Sequence, residues 1–207
     1  MRISASLHAA DPLRLATAIA AIGPHVASLH VDVMDGRFAP AFGFGELLVR
    51  GLVADGRLPV DVHLMVERPE PWVVRFATLG ARRVAFHLEA VEDPVAMARS
   101  IRARGSLAYL ALLPETPLSH VPDAPGVFDG LLLLTAPAGG GRLNNSALAR
   151  IEHLPGDCPT IVDGRIKPAQ FDFLKSHGVE LAVLGGCLFD TDDLPRRAKG
   201  LAALASA

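Results

Sequence analysis

Short apolar, β-branched runs alternate with longer amphipathic stretches from one end of the chain to the other. The short runs read as strands over Arg2–Ser6, Ser28–Val33, Val60–Met65, Arg83–Leu88, Leu107–Leu112, Gly130–Leu134, Thr160–Asp163 and Leu181–Gly185. Each is bounded by turn formers or opens into polar residues, as parallel strands buried on both faces do. Between them the pattern predicts helices over Pro12–Ile22, Gly45–Ala54, Glu70–Leu79, Pro94–Arg104, Ser146–His153, Pro168–His177 and Asp193–Ala205. A weaker helix is expected after Thr116, where Pro117, Pro122 and Pro125 crowd the segment. Asp11 before Pro12, and Asp93 before Pro94, each set an N-cap ahead of a proline in the first turn.

Eight strands and eight helical connections leave about 26 residues per unit, so a (β/α)8 barrel, normally about 250 residues long, fits only with short loops. The expected fold is α/β, a single (β/α)8 TIM barrel with a parallel eight-stranded core, residues 1–207 forming one domain. A doubly wound open sheet uses the same units, but no glycine fingerprint follows the first strand. No composition break, low-complexity tract or charge run marks a linker.

Half of the residues are apolar and the mean hydropathy is +0.33, which excludes a disordered chain and supplies a sizeable core. Lys and Arg total 20 against 22 Asp and Glu, a net charge of −2. That balance gives no electrostatic case for nucleic acid or an anionic membrane surface as a partner. No segment reaches the roughly 18 apolar residues of a membrane span. The N-terminus also lacks a signal-peptide stretch, so a cytoplasmic location is expected. Cys158 and Cys187 are too few for a disulfide scaffold and lack metal-site spacing.

In a parallel barrel the C-terminal ends of the strands surround the active-site mouth. This chain puts Ser6 at the end of its first strand and His30-Val31-Asp32 on its second. Asp61-Val62-His63-Leu64-Met65 and Phe86-His87-Leu88-Glu89 follow on the third and fourth, Asp163-Gly164 on the seventh, and Gly185-Gly186 after the eighth. His30 and Asp32 are two residues apart on one strand and so point to the same side. His63 on the neighbouring strand can reach the same point, and Asp163 approaches from across the barrel. Two imidazoles and two carboxylates around one centre suit zinc, iron or manganese. Any one of the four alone reads equally well as a hydrogen-bonded core residue or a loop cap. Four at the strand ends of one barrel point to a site, because an unpaired buried charge is costly.

Five segments carry a family resemblance: Ile3-Ser4-Ala5-Ser6-Leu7 with Ala10-Asp11; His30-Val31-Asp32-Val33-Met34-Asp35-Gly36 with Phe38 and Pro40; Asp61-Val62-His63-Leu64-Met65 with Pro69; Phe86-His87-Leu88-Glu89-Ala90; and Pro114 with Thr116-Pro117. In this order, and over essentially the whole chain, the sequence resembles the ribulose-phosphate 3-epimerase family. The resemblance implies an epimerase that inverts the carbon alpha to the ketone of a sugar phosphate. It implies one divalent metal ion (zinc, iron, manganese or cobalt) on His30, Asp32, His63 and Asp163. Asp32 and Asp163 correspond to the acid/base pair, one removing a proton from one face and the other returning a proton to the opposite face. Such a pair permits inversion through an enediolate, whose charge a cation stabilises.

Ser6 matches a serine near the substrate hydroxyls or the ligand shell, and His63 also borders the substrate. Met34 and Met65 match methionines lining the reaction centre, although isolated methionines more often fill cores. His87 and Glu89 match as well and read as structural, and Asp35 and Gly36 as loop geometry. The family's dimers and hexamers imply a homo-oligomer. Phe42 and Phe44 are expected to be exposed, as a subunit contact or a flexible lid.

The departures lie at the phosphate end. The family's asparagine-proline-glycine-phenylalanine-glycine-glycine-glutamine loop is replaced by Ala136-Pro137-Ala138-Gly139-Gly140-Gly141-Arg142. Its aspartate-glycine-glycine becomes Asp163-Gly164-Arg165, and its glycine-serine becomes Gly185-Gly186. The loop Arg37-Phe38-Ala39-Pro40-Ala41-Phe42 lacks the asparagine that follows proline in the family. Gly139, Gly140, Gly141, Gly164, Gly185 and Gly186 can still offer backbone N–H groups to an anion. Arg165 donates a charge-assisted fork to that anion, fills its place, or is a plain surface arginine. The expected substrate is therefore D-ribulose 5-phosphate, D-xylulose 5-phosphate or a related ketose phosphate of four to six carbons. A barrel aldolase or decarboxylase would need a lysine in the mouth; the chain has only Lys167, Lys175 and Lys199, none at a predicted strand end. The alternatives are a metal- or sugar-phosphate-binding barrel without turnover and another phosphate-binding barrel lyase, the latter disfavoured by that lysine pattern.

Overall fold

All eight predicted strands form, and they pair in sequence order into a closed, all-parallel barrel. The computed structural model describes residues 1–154 and 157–207. The strands are β1 (Arg2–Ser6), β2 (Ser28–Met34), β3 (Val60–Met65), β4 (Arg83–His87), β5 (Leu107–Leu112), β6 (Gly130–Leu134), β7 (Thr160–Asp163) and β8 (Leu181–Leu184). The helices are α1 (Leu15–Ile22), α2 (Glu46–Asp55), α3 (Glu70–Thr78), α4 (Pro94–Arg102), α5 (Asn145–Ala149), α6 (Phe171–Ser176), α7 (Gly186–Phe189) and α8 (Leu194–Ser206). Among the described residues no helix is long and apolar enough to cross a membrane. Cys158 and Cys187 are both free thiols.

Of the two predicted caps, one opens its α-helix directly. Asp93 accepts a hydrogen bond from the Ala96 N–H at 2.9 Å and opens α4. Asp11 accepts from the Leu13 N–H at 3.0 Å but opens only a 3-10 turn, Pro12–Arg14, so α1 begins at Leu15. Two connections differ from expectation. Between β5 and β6 there is no α-helix, only a 3-10 turn at Leu118–His120. Pro117, Pro122 and Pro125 remove the N–H donors that a helix there would need. After β8 the chain makes α7, whose four residues are too few to show a helical period.

Alternation along each strand divides the apolar residues into two cores. Outward-facing residues such as Val31, Val62, Leu110 and Leu133 pack under the helices, with Phe76 and Ile101 among their partners. Inward-facing Met34, Met65, Ala85, Ala111, Leu132, Leu134, Ile161 and Val183 fill the barrel interior. At the end of the barrel away from the mouth, Arg83 is 4% exposed. It donates to Asp61 Oδ1 at 3.1 Å and to Glu180 Oε1 at 2.9 Å, and its guanidinium lies 5.5 Å from the centroid of the Tyr109 ring. This ionic plug closes one end and leaves the other for chemistry.

Candidate metal centre and active-site mouth

Register brings the candidate ligands together. Pairing of β2 with β3 sets Asp32 directly beside His63, and pairing of β1 with β2 sets Ser6 beside His30. Asp163 closes β7, beside Leu134 of β6. His30 Nε2 lies 3.2 Å from Asp32 Oδ1 and 3.5 Å from Asp163 Oδ2. His63 Nδ1 lies 3.4 Å from Asp32 Oδ1 and 3.5 Å from Asp163 Oδ2. The two imidazole nitrogens are themselves 3.4 Å apart. A tetrahedron with bonds of about 2.0–2.1 Å to nitrogen and oxygen has edges of about 3.3 Å. The spacing therefore fits one small divalent cation, and all four donor atoms lie within 4.8 Å of one another.

One orphaned atom supports that fit. Asp32 Oδ1, the oxygen facing both rings, is buried with no hydrogen-bond donor. A buried carboxylate oxygen without a donor asks for a cation. Burial alone would drive the His30 imidazole down, but the Asp32 and Asp163 carboxylates more than offset this and hold it well above the ordinary histidine value. His63 is raised against its burial by the same two carboxylates. Burial would raise Asp32 and Asp163, yet the two imidazoles hold both below the usual carboxylate range. The centre thus gathers positive charge, as protons or as a metal ion that displaces them.

Around the cluster stand two supports. Ser6 Oγ donates to Asp32 Oδ2 at 2.9 Å. On the other flank His63 Nε2 lies 2.9 Å from His87 Nε2, and His87 Nδ1 lies 3.1 Å from Glu89 Oε2. Burial pushes His87 down to about 4 against the pull of Glu89. Burial would raise Glu89, but hydrogen bonds from His87, the Thr116 hydroxyl and the Leu113 N–H bring it down to about 2.

Above the cluster opens a cavity of about 730 Å³. Ser6, Asp32, Met34, Met65 and Asp163 face it, and so do Gly139, Gly140, Gly164, Arg165, Gly185 and Gly186. His30 and His63 lie beneath its floor, 1% and 0% exposed. Gly141 is the exception among the expected glycines. It does not line the cavity, and a side chain there would meet Pro137 Cδ at 2.8 Å. Two glycines are demanded by close approach. A Cβ at Gly164 (φ 114°) would lie 2.6 Å from the Ala136 nitrogen, and one at Gly43 would lie 2.3 Å from the Asp32 carbonyl oxygen. Gly43 belongs to the return of the β2 loop, where the Phe44 N–H donates to the Asp32 carbonyl at 2.9 Å and anchors that strand end. The same loop crosses the mouth. Ala39 and Pro40 sit against Gly139, with 3.3 and 3.4 Å left for a side chain there. Phe42 is 81% exposed, but Phe44 is half-buried against the core, with its ring edge-on to His8.

Sequence reasoning missed the outer rim. His8, Lys167, Asp190 and Arg197 also line the cavity, so three cations, Arg165, Lys167 and Arg197, face one rim carboxylate. Lys167 lies four residues past Asp163 and off the strand end, and Arg197 on α8 arrives only through the fold. Arg165 reaches towards Gly140, its Nη2 3.9 Å from where a side chain there would begin. It holds a left-handed conformation, φ 61°, the one non-glycine residue to do so among those described.

Fold and centre together define a class: a (β/α)8 enzyme with a two-histidine, two-carboxylate centre at the mouth of its barrel. Residues 2–189 match the sequence model of the Ribulose-phosphate 3 epimerase family, and the chain belongs to that family of carbohydrate epimerases. It is 36% identical to the ribulose-phosphate 3-epimerase of Mycobacterium tuberculosis over 200 residues, covering 92% of this chain and 87% of the other. It is 34% identical to that of Mycobacterium leprae, also over 200 residues, with 92% and 89% covered. The fold is shared more widely. 3-Hexulose-6-phosphate synthase from Salmonella typhimurium superposes with a TM-score of 0.76 at 13% identity, over 100% of this chain and 99% of its own.

Proposed function

We propose that the protein interconverts D-ribulose 5-phosphate and D-xylulose 5-phosphate, or a related pair of ketose phosphates, by proton transfer between Asp32 and Asp163. The observation that carries this reading is the pair of carboxylates themselves. One stands on β2 and the other on β7, each within 3.5 Å of both imidazoles. A divalent ion held by His30, Asp32, His63 and Asp163 would stabilise the negative charge that develops on the substrate oxygen. The residues do the rest. Asp32 Oδ2, beside the Ser6 hydroxyl, takes the proton from one face of the sugar, and Asp163 Oδ1 returns a proton to the other. Each carboxylate exchanges acid and base roles for the reverse reaction. Met34 and Met65 give the reacting carbon an apolar wall that excludes water.

The distal phosphate meets the N–H groups near Gly139, Gly140, Gly164, Gly185 and Gly186, with Arg165 adding a charge-assisted fork. The zinc, iron, manganese or cobalt alternatives all accept this mixed nitrogen and oxygen set. We place the enzyme in the cytoplasm as a homo-oligomer, following the resemblance of the chain to its family.

Incubation of metal-loaded protein with tetrulose, pentulose and hexulose phosphates in deuterated water tests the reading. Deuterium is expected at the carbon alpha to the ketone of at least one of them. Asp163→Asn is expected to abolish epimerisation while the metal stays bound, leaving at most exchange on the face that Asp32 serves. No exchange with any ketose phosphate would leave only a binding barrel.

A further inference from the structure

We propose that Glu89 and His87 are positioning residues that set the tautomer of His63, so that a bare Nδ1 lone pair, not an N–H, points into the ligand cluster. The proposal deepens the metal reading above and rests on it. His63 Nδ1 is the nitrogen within 3.4 Å of both Asp32 Oδ1 and His30 Nε2. Its other nitrogen stands 2.9 Å from His87 Nε2, a gap that holds one proton. An ionised carboxylate only accepts hydrogen bonds, and a neutral imidazole donates from one nitrogen and accepts at the other. Glu89 Oε2, 3.1 Å from His87 Nδ1, therefore keeps the His87 proton on Nδ1. His87 then presents a bare Nε2, so the shared proton belongs to His63 Nε2. A metal ligand needs that outcome, since the proton position on a ligating histidine is set by the hydrogen bond at its other nitrogen.

Glu89 cannot easily turn away from this task. Its Oε1 is occupied by the Leu113 N–H at 2.8 Å and by the Thr116 hydroxyl, which leaves Oε2 for His87. Arg150 braces the segment that supplies those donors. It donates to the Leu113 carbonyl at 2.8 Å and also to the Thr116 carbonyl. His63 and His87 are both fully buried, and the Phe38 ring lies 4.7 Å from the His87 ring, so water does not compete.

Glu89→Gln tests the direction of the chain. The amide oxygen can keep the Leu113 and Thr116 contacts while its NH2 donates to His87 Nδ1. His87 must then carry its proton on Nε2, and His63 is left with an N–H aimed at the cluster. Cobalt(II) affinity of the full chain, measured by chelator competition, is expected to fall about 10- to 100-fold. The visible bands of the cobalt(II) protein are expected to change with it. In a His87→Gln background the amide presents its oxygen to His63 whatever stands at 89, so adding Glu89→Gln should cost less than about twofold. Nitrogen-15 NMR of histidine-labelled, zinc-loaded wild-type protein reads the tautomers without any substitution. His63 is expected protonated at Nε2 and His87 at Nδ1; the reverse assignment overturns the proposal. Unchanged cobalt affinity and bands in Glu89→Gln overturn the relay alone. A wild-type protein that binds neither cobalt nor zinc overturns the metal reading, and the relay with it.

Discussion

Ser6 Oγ donates to Asp32 Oδ2 at 2.9 Å from the neighbouring strand, and so decides which oxygen of Asp32 faces the imidazoles. A hydrogen bond to a charged group contributes about 1.5–3 kcal/mol. Ser6→Ala is accordingly expected to lower kcat/KM for epimerisation by about 10- to 100-fold, mostly through kcat. Steady-state rates on the active ketose phosphate check it, and an unaltered kcat would assign Ser6 a purely structural place.

Arg165 is held at φ 61°, a conformation that costs a non-glycine residue about 1–2 kcal/mol. Glycine gives back part of that gain through its greater unfolded-state freedom, about 0.5–1 kcal/mol. Arg165→Gly is expected to stabilise the protein by about 0.5–1 kcal/mol in urea denaturation. If Arg165 grips phosphate, the same variant raises KM about tenfold or more, since a charge-assisted contact is lost. Greater stability with unchanged KM would show that the arginine only crowds the rim.

The ionic plug at the closed end makes a separate claim. Arg83→Met leaves Asp61, 3% exposed, and Glu180 without their buried cation. Breaking such a pair from one side costs about 3–5 kcal/mol. Chemical denaturation is expected to show that loss, with any surviving folded protein still binding cobalt. A change below about 1 kcal/mol would mean that the plug contributes little.

Acid should weaken the fold through His87 and Glu89. Between an ordinary value of 6.5 and about 4, the unfolded chain takes up a proton at His87 that the folded protein refuses. Between 4.5 and about 2 the same holds for Glu89. In both windows the unfolded state binds more protons, so stability falls as pH falls, the His87 share amounting to about 3 kcal/mol. Urea midpoints measured from pH 6 to pH 3 are expected to decline steadily, and His87→Gln should flatten the upper part of the decline. A midpoint independent of pH between 6 and 4 contradicts the buried, neutral His87.

Much of this molecule is legible in its sequence. Strand positions followed from short β-branched runs, because parallel strands buried on both faces leave little room for polar interruption. The four candidate ligands were legible because two-residue spacing on β2 and matching strand ends are one-dimensional signals. The plug was not. Asp61 and Arg83 are register partners at the starts of β3 and β4, but Glu180, just ahead of β8, joins them only through closure of the barrel. Nor did the sequence reveal what His87 and Glu89 do together. Their two-residue spacing was visible, but the partner that gives it meaning, His63, lies 24 residues away. Arg197 on the rim belongs to the same kind, a residue delivered by a helix whose sequence carries no sign of its destination.

The crossing of Ala39 and Pro40 onto Gly139 roofs part of the mouth and leaves its approach beside β7 and β8, where Lys167, Asp190 and Arg197 stand. On the proposed reading, a sugar phosphate would enter by this one open side with its ketone end foremost, its anionic tail trailing past the basic threshold. Product would leave by the same side, so that threshold would meet the tail twice in every turnover, once as a guide and once as a brake.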